Sequence, residues 1–474
     1  MNIPALGVGV VYVAGLEPLL EPGVAPISLL EIEPSTFWRH HPTATSHYQI
    51  QEEALAEVAG FPQAKIVHGV GFPVGGSRRP DPSHLPLFKR VVDELGAPWA
   101  SEHLGFNEAH VGGVDFNTRL FLPSLQTRAG VEAAVSTIQR TQEALQVPFA
   151  VETLVNYLQP YQSEISDGTF VSAVVEEADC GILLDLHNLY ANERNGRQSV
   201  REYLSEIPLD RVWELHVAGG SSLNGYWLDA HSDLVPPEVM AMTADLVPEL
   251  PNLGAIVFEI LPTYVPRVGL KAIRKQLELL HEIWERRGSR ASYRPTPTVK
   301  HKSIDLGDNQ LPFSPQEWED TLGILAVGWE TRGDLASNLG QDKGLAIIRR
   351  LIWDFRAGDI AAVFPLTTRL LLLYLGEAKT RELLSEFFGA IPPQLFPSDE
   401  VMGFAEYLVT QSLEVPFLSQ VVAYERAVVR SQVYDERETV RFPADPNEVL
   451  SAIARGRMPE LPKEEEMYEV EVTP

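Results

Sequence analysis

Cysteine is almost absent from this 474-residue chain, whose single example is Cys180. One cysteine cannot form a disulfide framework within the chain or a cysteine-rich zinc site. Cys180 ends a helix-like stretch just before a strand-like one, so we expect a small packing residue rather than a nucleophile. The cysteine count therefore excludes disulfide-stabilised folds and the cysteine-based zinc proteins.

Positive charge and long apolar runs are also scarce. Lys and Arg number 38 against 65 Asp and Glu, a formal net charge of −27, which repels phosphate backbones and predicts no nucleic-acid partner. No apolar run reaches the roughly 18 residues of a membrane-spanning helix, so we expect no membrane association. The start, MNIPALGVGVVYVAG, has no basic segment of the kind that opens a signal peptide. These features predict a cytoplasmic protein.

Short apolar runs alternate with amphipathic helical patterns over about the first 290 residues. Eight runs read as strands, at 7–13, 27–33, 64–70, 98–104, 148–154, 181–187, 211–217 and 255–261. Strands that are apolar on both faces are typical of a parallel sheet covered by helices. Eight such units in this length, with no GxGxxG after the first strand, favour a (β/α)₈ TIM barrel over an open doubly wound sheet.

The rest of the chain changes character. Residues 289–315 are polar, contain four prolines and show no periodicity, which predicts a linker. Residues 316–460 carry helical patterns and predict a smaller, mostly α-helical domain, and the acidic tail 461–474 is expected to be disordered. The predicted domains are thus a catalytic barrel at 1–288, the linker, the helical domain and the tail.

Polar residues interrupt the apolar strands near their carboxyl ends. Strands three to eight and the loop after strand seven supply His68, His103, Glu152, Asp185, His216, Asp229, His231 and Glu259. A single histidine or carboxylate of this kind is usually a hydrogen-bonded core residue or half of a structural ion pair. Six successive strands with such residues at one end are different, because the carboxyl ends of barrel strands form the active site. Divalent cations between these groups would offset the cost of burying them, so the pattern predicts a metal centre.

Two further residues are candidate ligands. His187 shares a face with Asp185 if strand six continues to that position, and Asn188 then opens the following loop. Histidine nitrogens and carboxylate or amide oxygens suit iron, zinc and manganese alike, so the donor types leave the metal open.

With these residues in view, the sequence resembles the multinuclear non-haem iron-dependent oxidase family, over roughly residues 5–285. Members are β/α barrels that modify ribosomally made precursor peptides, typically with a helper protein. The matching stretches are IVHGVGFP, ASEHLGF, AVETLVNYL, CGILLDLHNLYAN, VWELHVAGG, WLDAHSD and VFEIL. The resemblance implies an O₂-dependent oxidation of a peptide residue, often a cysteine, with O₂ as co-substrate and two to three iron ions of mixed valence.

The same resemblance implies a distribution of ligands. His68, His103 and Glu152 would hold one iron. Glu152 would bridge to a second, completed by Asp185, His216 and Glu259. A third iron would be held by Asn188, Asp229 and His231. The resemblance allows this third site to be only partly occupied.

The C-terminal part resembles the helper proteins of these enzymes, which are often encoded separately. The similar stretches are DFRAGDIAAVFPLTTRLLLLYLGEAKTRELLSEFF and VPFLSQVVAYERAVVRS. The resemblance implies that enzyme and helper are fused, so that the helical domain supplies the helper function, and peptide binding, in cis.

The sequence departs from the family pattern in three places. Relatives usually have a Glu–Asn pair where this chain has Ser35 and Thr36, and several have histidine at the position of Gly220. An aspartate often follows the strand-eight glutamate closely, but Ile260 and Leu261 stand here. If that aspartate is a base in relatives, the catalytic base of this protein lies elsewhere or the reaction differs, so no catalytic residue is assigned.

Two other classes of function fit parts of the pattern. The endonuclease IV-like group has the same barrel with nearly the same ligand order and three zinc ions, and zinc or manganese could also support xylose isomerase-like chemistry. DNA cleavage needs basic loops around the barrel mouth, and only scattered arginines are found there. A non-catalytic peptide-binding protein is the third alternative, but unused buried carboxylates would be costly.

Overall fold

The computed structural model describes residues 3–40, 48–78, 83–288, 311–461 and 467–474. Most of the predicted linker, residues 289–310, and residues 462–466 of the predicted tail lie outside this set.

The strands of the described residues are short, and most belong to the first half of the chain. In chain order they are β1 (Gly7–Val11), β2 (Leu29–Ile32), β3 (Trp38–His40), β4 (Tyr48–Ile50), β5 (Ala64–Gly69), β6 (Ala100–His103), β7 (Gly105–Val111), β8 (Val114–Pro123), β9 (Phe149–Glu152), β10 (Gly181–Asp185), β11 (Val212–Ala218), β12 (Ser221–Leu223), β13 (Tyr226–Leu228), β14 (Ala255–Glu259), β15 (Glu438–Phe442) and β16 (Tyr468–Val472).

Helices follow the barrel strands and make up most of the C-terminal region. In chain order they are α1 (Glu17–Leu20), α2 (Glu52–Ala59), α3 (His84–Leu95), α4 (Arg128–Leu145), α5 (Asp167–Ala178), α6 (Leu186–Arg194), α7 (Val200–Glu206), α8 (Pro237–Leu246), α9 (Val265–Val268), α10 (Leu270–Trp284), α11 (Pro315–Ala326), α12 (Asp334–Gly340), α13 (Lys343–Val363), α14 (Pro365–Ala390), α15 (Pro397–Thr410), α16 (Leu418–Tyr434) and α17 (Pro446–Ala454). Short 3₁₀ turns occupy Pro34–Phe37, Leu209–Arg211 and Val247–Glu249.

Eight parallel strands close into a barrel in the order β1-β14-β11-β10-β9-β6-β5-β2. Each predicted strand overlaps one of them, and sequence neighbours lie side by side around the barrel. Valine, isoleucine and leucine fill these strands because both faces are buried, one in the barrel and one against the helices. The predicted TIM-barrel fold followed by a mainly helical region is confirmed.

Antiparallel hairpins extend the barrel at its loops, and the sequence interpretation missed them. The largest joins β7 and β8 through Gly112 and Gly113, whose φ values of 59° and 89° suit a two-residue turn. The smaller hairpins are β3–β4 and β12–β13. Their polar and apolar residues alternate, so they lack the continuous apolar pattern that identifies the barrel strands.

The helical region does not have a hydrophobic core entirely of its own. Its second half, from Ile360 onward, surrounds a separate buried cluster. The first helices instead share a cluster with the barrel loops, where Trp318 and Ile348 lie with Phe106 and Leu158. The two clusters meet within α13, so the first helices of the predicted helper domain complete the packing of the barrel loops.

The expectation of a disordered acidic tail is wrong for residues 468–472. This segment is β16, which pairs antiparallel with β15. Tyr468, Val470 and Val472 alternate with glutamates and pack against the second cluster. The high acidic content hid a period-two pattern, which buries one face of the strand and leaves its glutamates in solvent.

No single helix of the described residues is long and apolar enough to cross a membrane. The successive helices α13 and α14, bent by 106°, satisfy that length and composition only when taken together.

Candidate metal centre

The first group of candidate ligands lies at the carboxyl ends of β5, β6 and β9. The strand register sets His103 directly opposite Glu152, and the Nε2 atoms of His68 and His103 lie 3.0 and 3.1 Å from Glu152 Oε2. The opposite ring atom, Nδ1, contacts Ser101 Oγ at 2.9 Å in His68 and the Gly69 carbonyl at 3.1 Å in His103. Both rings therefore turn their Nε2 atoms toward one carboxylate oxygen.

The second group lies one strand further around the barrel. Asp185 of β10 pairs in register with His216 of β11, and their side chains form a cluster with Glu152 whose ligand atoms lie within 4.8 Å of one another. His216 Nδ1 lies 3.2 Å from Glu259 Oε2 and 3.9 Å from Glu152 Oε1. Glu152 thus faces the first group with one oxygen and the second group with the other.

Two carboxylates behind His216 set its orientation. His216 Nε2 lies 3.0 Å from Glu31 Oε2 and 3.6 Å from Glu214 Oε1, and Glu214 accepts a hydrogen bond from Trp99 Nε1 at 2.9 Å. These groups are fully buried in the barrel. They direct Nδ1 of His216 to the barrel mouth, as carboxylates behind a ligating histidine do in metalloproteins.

The third group is formed around the loop after β13. His231 has a positive φ of 41°. Its backbone carbonyl accepts a hydrogen bond from the Leu261 amide at 2.9 Å, which fixes this loop conformation. His231 Nε2 lies 2.7 Å from Asp229 Oδ1 and 3.6 Å from Glu259 Oε2. The donor atoms of Asp185, His231 and Glu259 lie within 4.8 Å of one another.

The sequence predicted His187 at the end of strand six and Asn188 in the following loop, but both residues lie in helix α6. The strand stops at Asp185, whose side chain accepts from the Asn188 amide at 2.9 Å and thereby caps α6, so the strand-alternation argument for His187 is wrong. Asn188 Nδ2 lies 3.4 Å from Glu152 Oε1 and 3.1 Å from the Thr153 carbonyl. These contacts place Asn188 beside Glu152, the residue that faces both the first and the second group.

The environment of His187 favours an orienting role over metal ligation. The Trp227 indole N–H can only donate, and it does so to His187 Nε2 at 2.9 Å. A neutral His187 ring then carries its proton on Nδ1, which lies 3.2 Å from Asp229 Oδ1. A Cβ on Gly220 would lie 2.5 Å from His187 Nε2, so this pair occupies the space that a histidine at position 220 would need.

Many donor atoms in these groups are buried without a hydrogen-bond partner. Among the described residues this holds for Glu152 Oε2, Asp185 Oδ2, Asn188 Oδ1, His216 Nδ1, Asp229 Oδ1, His231 Nε2 and Glu259 Oε2. Leaving even one buried polar atom unsatisfied costs about 1–3 kcal/mol, so such a concentration at one place needs an explanation. Atoms this close to one another can instead share ions about 2.0–2.2 Å from each donor, so the residues fit a multinuclear metal site.

Titration behaviour fits the same picture. Burial opposes charge on the His103 ring, but the Glu152 and Glu102 carboxylates and the Gly69 carbonyl together outweigh it, and the pKa of His103 is raised to about 9. Burial and the Glu259 and Asp229 carboxylates raise the pKa of Asp185 to about 7. At neutral pH these groups hold protons that an incoming cation has to displace, so metal binding weakens as the pH falls.

A cavity of about 650 Å³ at the barrel mouth is lined by six of the candidate ligands, which are His68, His103, Glu152, Asp229, His231 and Glu259. Glu33, which the sequence interpretation missed, lines this cavity just beyond β2. Burial raises the pKa of its carboxyl, which interacts electrostatically with His68, Glu259 and His231. The sequence does contain a signal for Glu33. It lies two residues after Glu31 in the same predicted apolar strand, so the two acids share a face of that strand.

Comparison with known families gives a match that covers most of the barrel. A family described as RiPP precursor modification enzyme MbnB/TglH/ChrH matches residues 20–263, just over half of the chain. The chain belongs to this family. RiPPs are ribosomally synthesised and post-translationally modified peptides, and the predicted family is confirmed.

Curated relatives match less than half of the chain. UPF0276 proteins of Chromobacterium violaceum, Streptomyces avermitilis and Vibrio vulnificus are 34%, 30% and 32% identical over 181, 236 and 216 residues. These alignments cover 38%, 48% and 43% of this MbnB/TglH/ChrH member. They span 64%, 48% and 73% of the relatives' own lengths.

Solved structures are similar at much lower identity. A xylose isomerase domain protein from Planctomyces limnophilus is 14% identical with a TM-score of 0.40, covering 61% of this chain and all of its own. An L-ribulose 3-epimerase is 14% identical with a TM-score of 0.38, covering 63% of this chain and all of its own.

Proposed function

We propose that this protein is an O₂-dependent, multinuclear non-haem iron oxidase that modifies a residue of a ribosomally synthesised precursor peptide, with cysteine as the first residue to test. The observation that carries the proposal is the set of unpaired buried nitrogen and oxygen atoms at the carboxyl ends of the barrel strands, several of which belong to residues that line the cavity. Family membership supports a peptide precursor as the substrate. Because such a peptide is made on ribosomes, the proposal places the reaction in the cytoplasm.

The proposed ligands follow the three groups. His68, His103 and Glu152 would hold one iron, and Glu152 would bridge to a second. Asp185, His216 and Glu259 would complete the second site, where Asn188 also lies. A third ion would use His231 and Asp229 together with Glu259 or Asp185. When bound, these ions would supply redox chemistry and O₂ activation.

The chain's own groups have defined tasks in this proposal. Ser101 and the Gly69 carbonyl hold the two histidine rings of the first site, and Glu31 holds His216. Fixed outer contacts of this kind keep ligand geometry constant and tune the metal. The cavity takes the peptide segment, and its volume lies within the roughly 300–1,000 Å³ of small-molecule sites.

We also propose that residues 1–288 and 316–460 correspond to the enzyme and its helper, with the helper function supplied in cis. The contacts of α11 support this arrangement. Ser77 donates to Glu319 through its amide and its hydroxyl, both at 2.6 Å, and Arg78 is paired with Asp320. The helical region therefore sits against the loop that follows β5 and its ligand histidine.

The proposal is tested by separating oxidation from hydrolysis. Full-length protein loaded with ferrous iron should change the mass of a precursor peptide encoded beside its gene in air, and should fail under strict anaerobiosis or with zinc. Hydrolysis at a metal-bound water needs only a Lewis acid, so zinc- or manganese-dependent endonuclease IV-like or isomerase-like chemistry would proceed without O₂. His68→Ala and His103→Ala should abolish the mass change, whereas His281→Ala, on the exposed face of α10, should retain it. Turnover that persists without O₂ or improves with zinc contradicts the iron-oxidase proposal.

A further inference from the structure

We propose that the cavity selects peptides in which a bulky apolar residue adjoins the residue that is modified. Phe355, Phe396 and Leu261 would form the subsite for that neighbouring side chain. This inference rests on the proposed function, since it assumes that a peptide enters the cavity. It assigns part of the substrate selection to the helical region, which contributes both phenylalanines.

The lining of the cavity has two chemically different sides. Six candidate ligands and Glu33 belong to the polar part of the lining, together with Asn107 and Asn117, whereas Leu261, Phe355 and Phe396 belong to its apolar part. The two sides meet at Phe121, whose ring stacks on His103 with centroids 4.1 Å apart. A peptide residue that reaches the ligands therefore has its neighbour next to the apolar side.

Part of that apolar side is exposed in an unusual way. Phe355 of α13 is 45% exposed and Leu261, which follows β14, is 41% exposed, although both are large apolar residues. They come from distant parts of the sequence and line one cavity. A ligand that covers such exposed apolar surface binds more tightly, because removing that surface from water is favourable.

The wall is held in place by contacts that need no ligand. The Arg119 guanidinium donates to the Leu395 carbonyl and to Asp359 Oδ2, the latter at 2.5 Å. The next residue, Phe396, packs its ring against Tyr48 with centroids 4.7 Å apart. A subsite fixed in advance loses little conformational entropy on binding, which favours discrimination between side chains.

Charge argues against an acidic neighbour in the same subsite. Arg119, the only arginine or lysine among the described residues of the lining, is already paired with Asp359. The lining histidines His68, His103 and His231 already contact the carboxylates of Glu152 or Asp229. The other ionisable lining groups include Glu33, Asp229 and Glu259, which would repel a carboxylate. The occupant to which these observations commit is therefore an aromatic or aliphatic side chain.

The test uses fluorescein-labelled, capped hexapeptides with one cysteine, whose preceding or following residue is Phe, Leu, Ala or Asp. Binding to the full-length chain is measured by fluorescence anisotropy without metal, and mass change is measured separately after iron loading. We expect Phe and Leu peptides to bind about tenfold or more tightly than Ala peptides, and Asp peptides to bind most weakly. Phe355→Ala and Leu261→Ala should remove the preference. Leu372→Ala, on α14 and 43% exposed, is the matched control and should keep it.

The two readouts separate this inference from the proposed function. An apolar preference that depends on Phe355 and Leu261 supports the inference even if no peptide is oxidised, in which case the proposed function fails. Oxidation that is indifferent to the neighbouring residue overturns the inference and leaves the proposed function standing. Equal binding of all peptides, binding of none, or a preference unchanged in both variants also overturns it.

Discussion

Replacing Glu152 with alanine is expected to remove at least two metal ions from each chain at once. One Glu152 oxygen lies about 3 Å from the Nε2 atoms of His68 and His103, and the other faces His216 and Asn188. A carboxylate shared by two sites supports both, so its loss should leave at most one of the two to three ions expected per iron-loaded chain. Elemental analysis of the purified protein measures the change directly.

Two variants make this result interpretable. Glu132→Ala removes an exposed carboxylate from α4 and should leave the metal content unchanged. Glu152→Gln keeps the size of the side chain, so it separates loss of a ligand from loss of packing, and circular dichroism checks that each variant is folded. If the alanine variant loses only one ion, the shared-ligand arrangement is incorrect.

Ending the chain after Gly288 is expected to destabilise the barrel strongly. The eight barrel units are complete at that point, which from the sequence alone suggested that they would fold independently. The structure argues otherwise, because Trp318, Leu322 and Ile348 are buried against Phe106 and Leu158 of the barrel loops. Each fully buried large apolar side chain contributes about 1.5–3 kcal/mol, so the truncation removes several such contributions.

The measurement is thermal unfolding of the truncated and full-length chains in the same buffer. We expect the Tm to fall by about 10 °C or more, since each kcal/mol shifts it by about 2–4 °C in domains of 150–250 residues. Peptide modification should also be lost, because the truncation removes Phe355 and Phe396 from the cavity. Trp318→Ala should lower the Tm of the full chain, whereas Leu372→Ala, at an exposed position, should change it little. An unchanged Tm in the truncated chain would show that the helices are dispensable for the barrel.

The barrel could be predicted because its strands are buried on both faces. GILLDLH shows both the strength and the limit of that signal. The apolar run correctly identified β10 and placed Asp185 near its end, but the predicted strand continued to residue 187, two residues too far. It could not show that Asp185 caps a helix that begins at Leu186. A strand that continues past Asp185 and a helix that begins there would have the same residues, so composition does not distinguish them.

The inner carboxylates were missed although they lie in the same strands. Glu31, Glu102 and Glu214 are buried acids within apolar runs, like the residues that were selected. Ligands were predicted only at the strand ends, and the buried acids that orient them were not predicted. Glu214 and His216 are two apart in β11 and so share a face, which is a usable sequence signal for such a pair.

The cavity wall could not be predicted from the sequence. Phe355 and Phe396 lie in helical or loop patterns of ordinary composition, and their place at the barrel mouth depends on tertiary contacts. Arg119 fixes that arrangement from β8 through partners about 240 and 276 residues away. No local period or motif records such a contact.

The central claim is that the candidate ligands at the carboxyl ends of the barrel strands hold a multinuclear metal centre. Anomalous diffraction at the iron edge tests this claim most directly. Crystals of the full-length chain grown anaerobically with ferrous iron should show one peak among His68, His103 and Glu152. A second peak should lie among Asp185, His216 and Glu259. Data without a peak at either position, or with peaks only elsewhere on the molecule, would contradict the account.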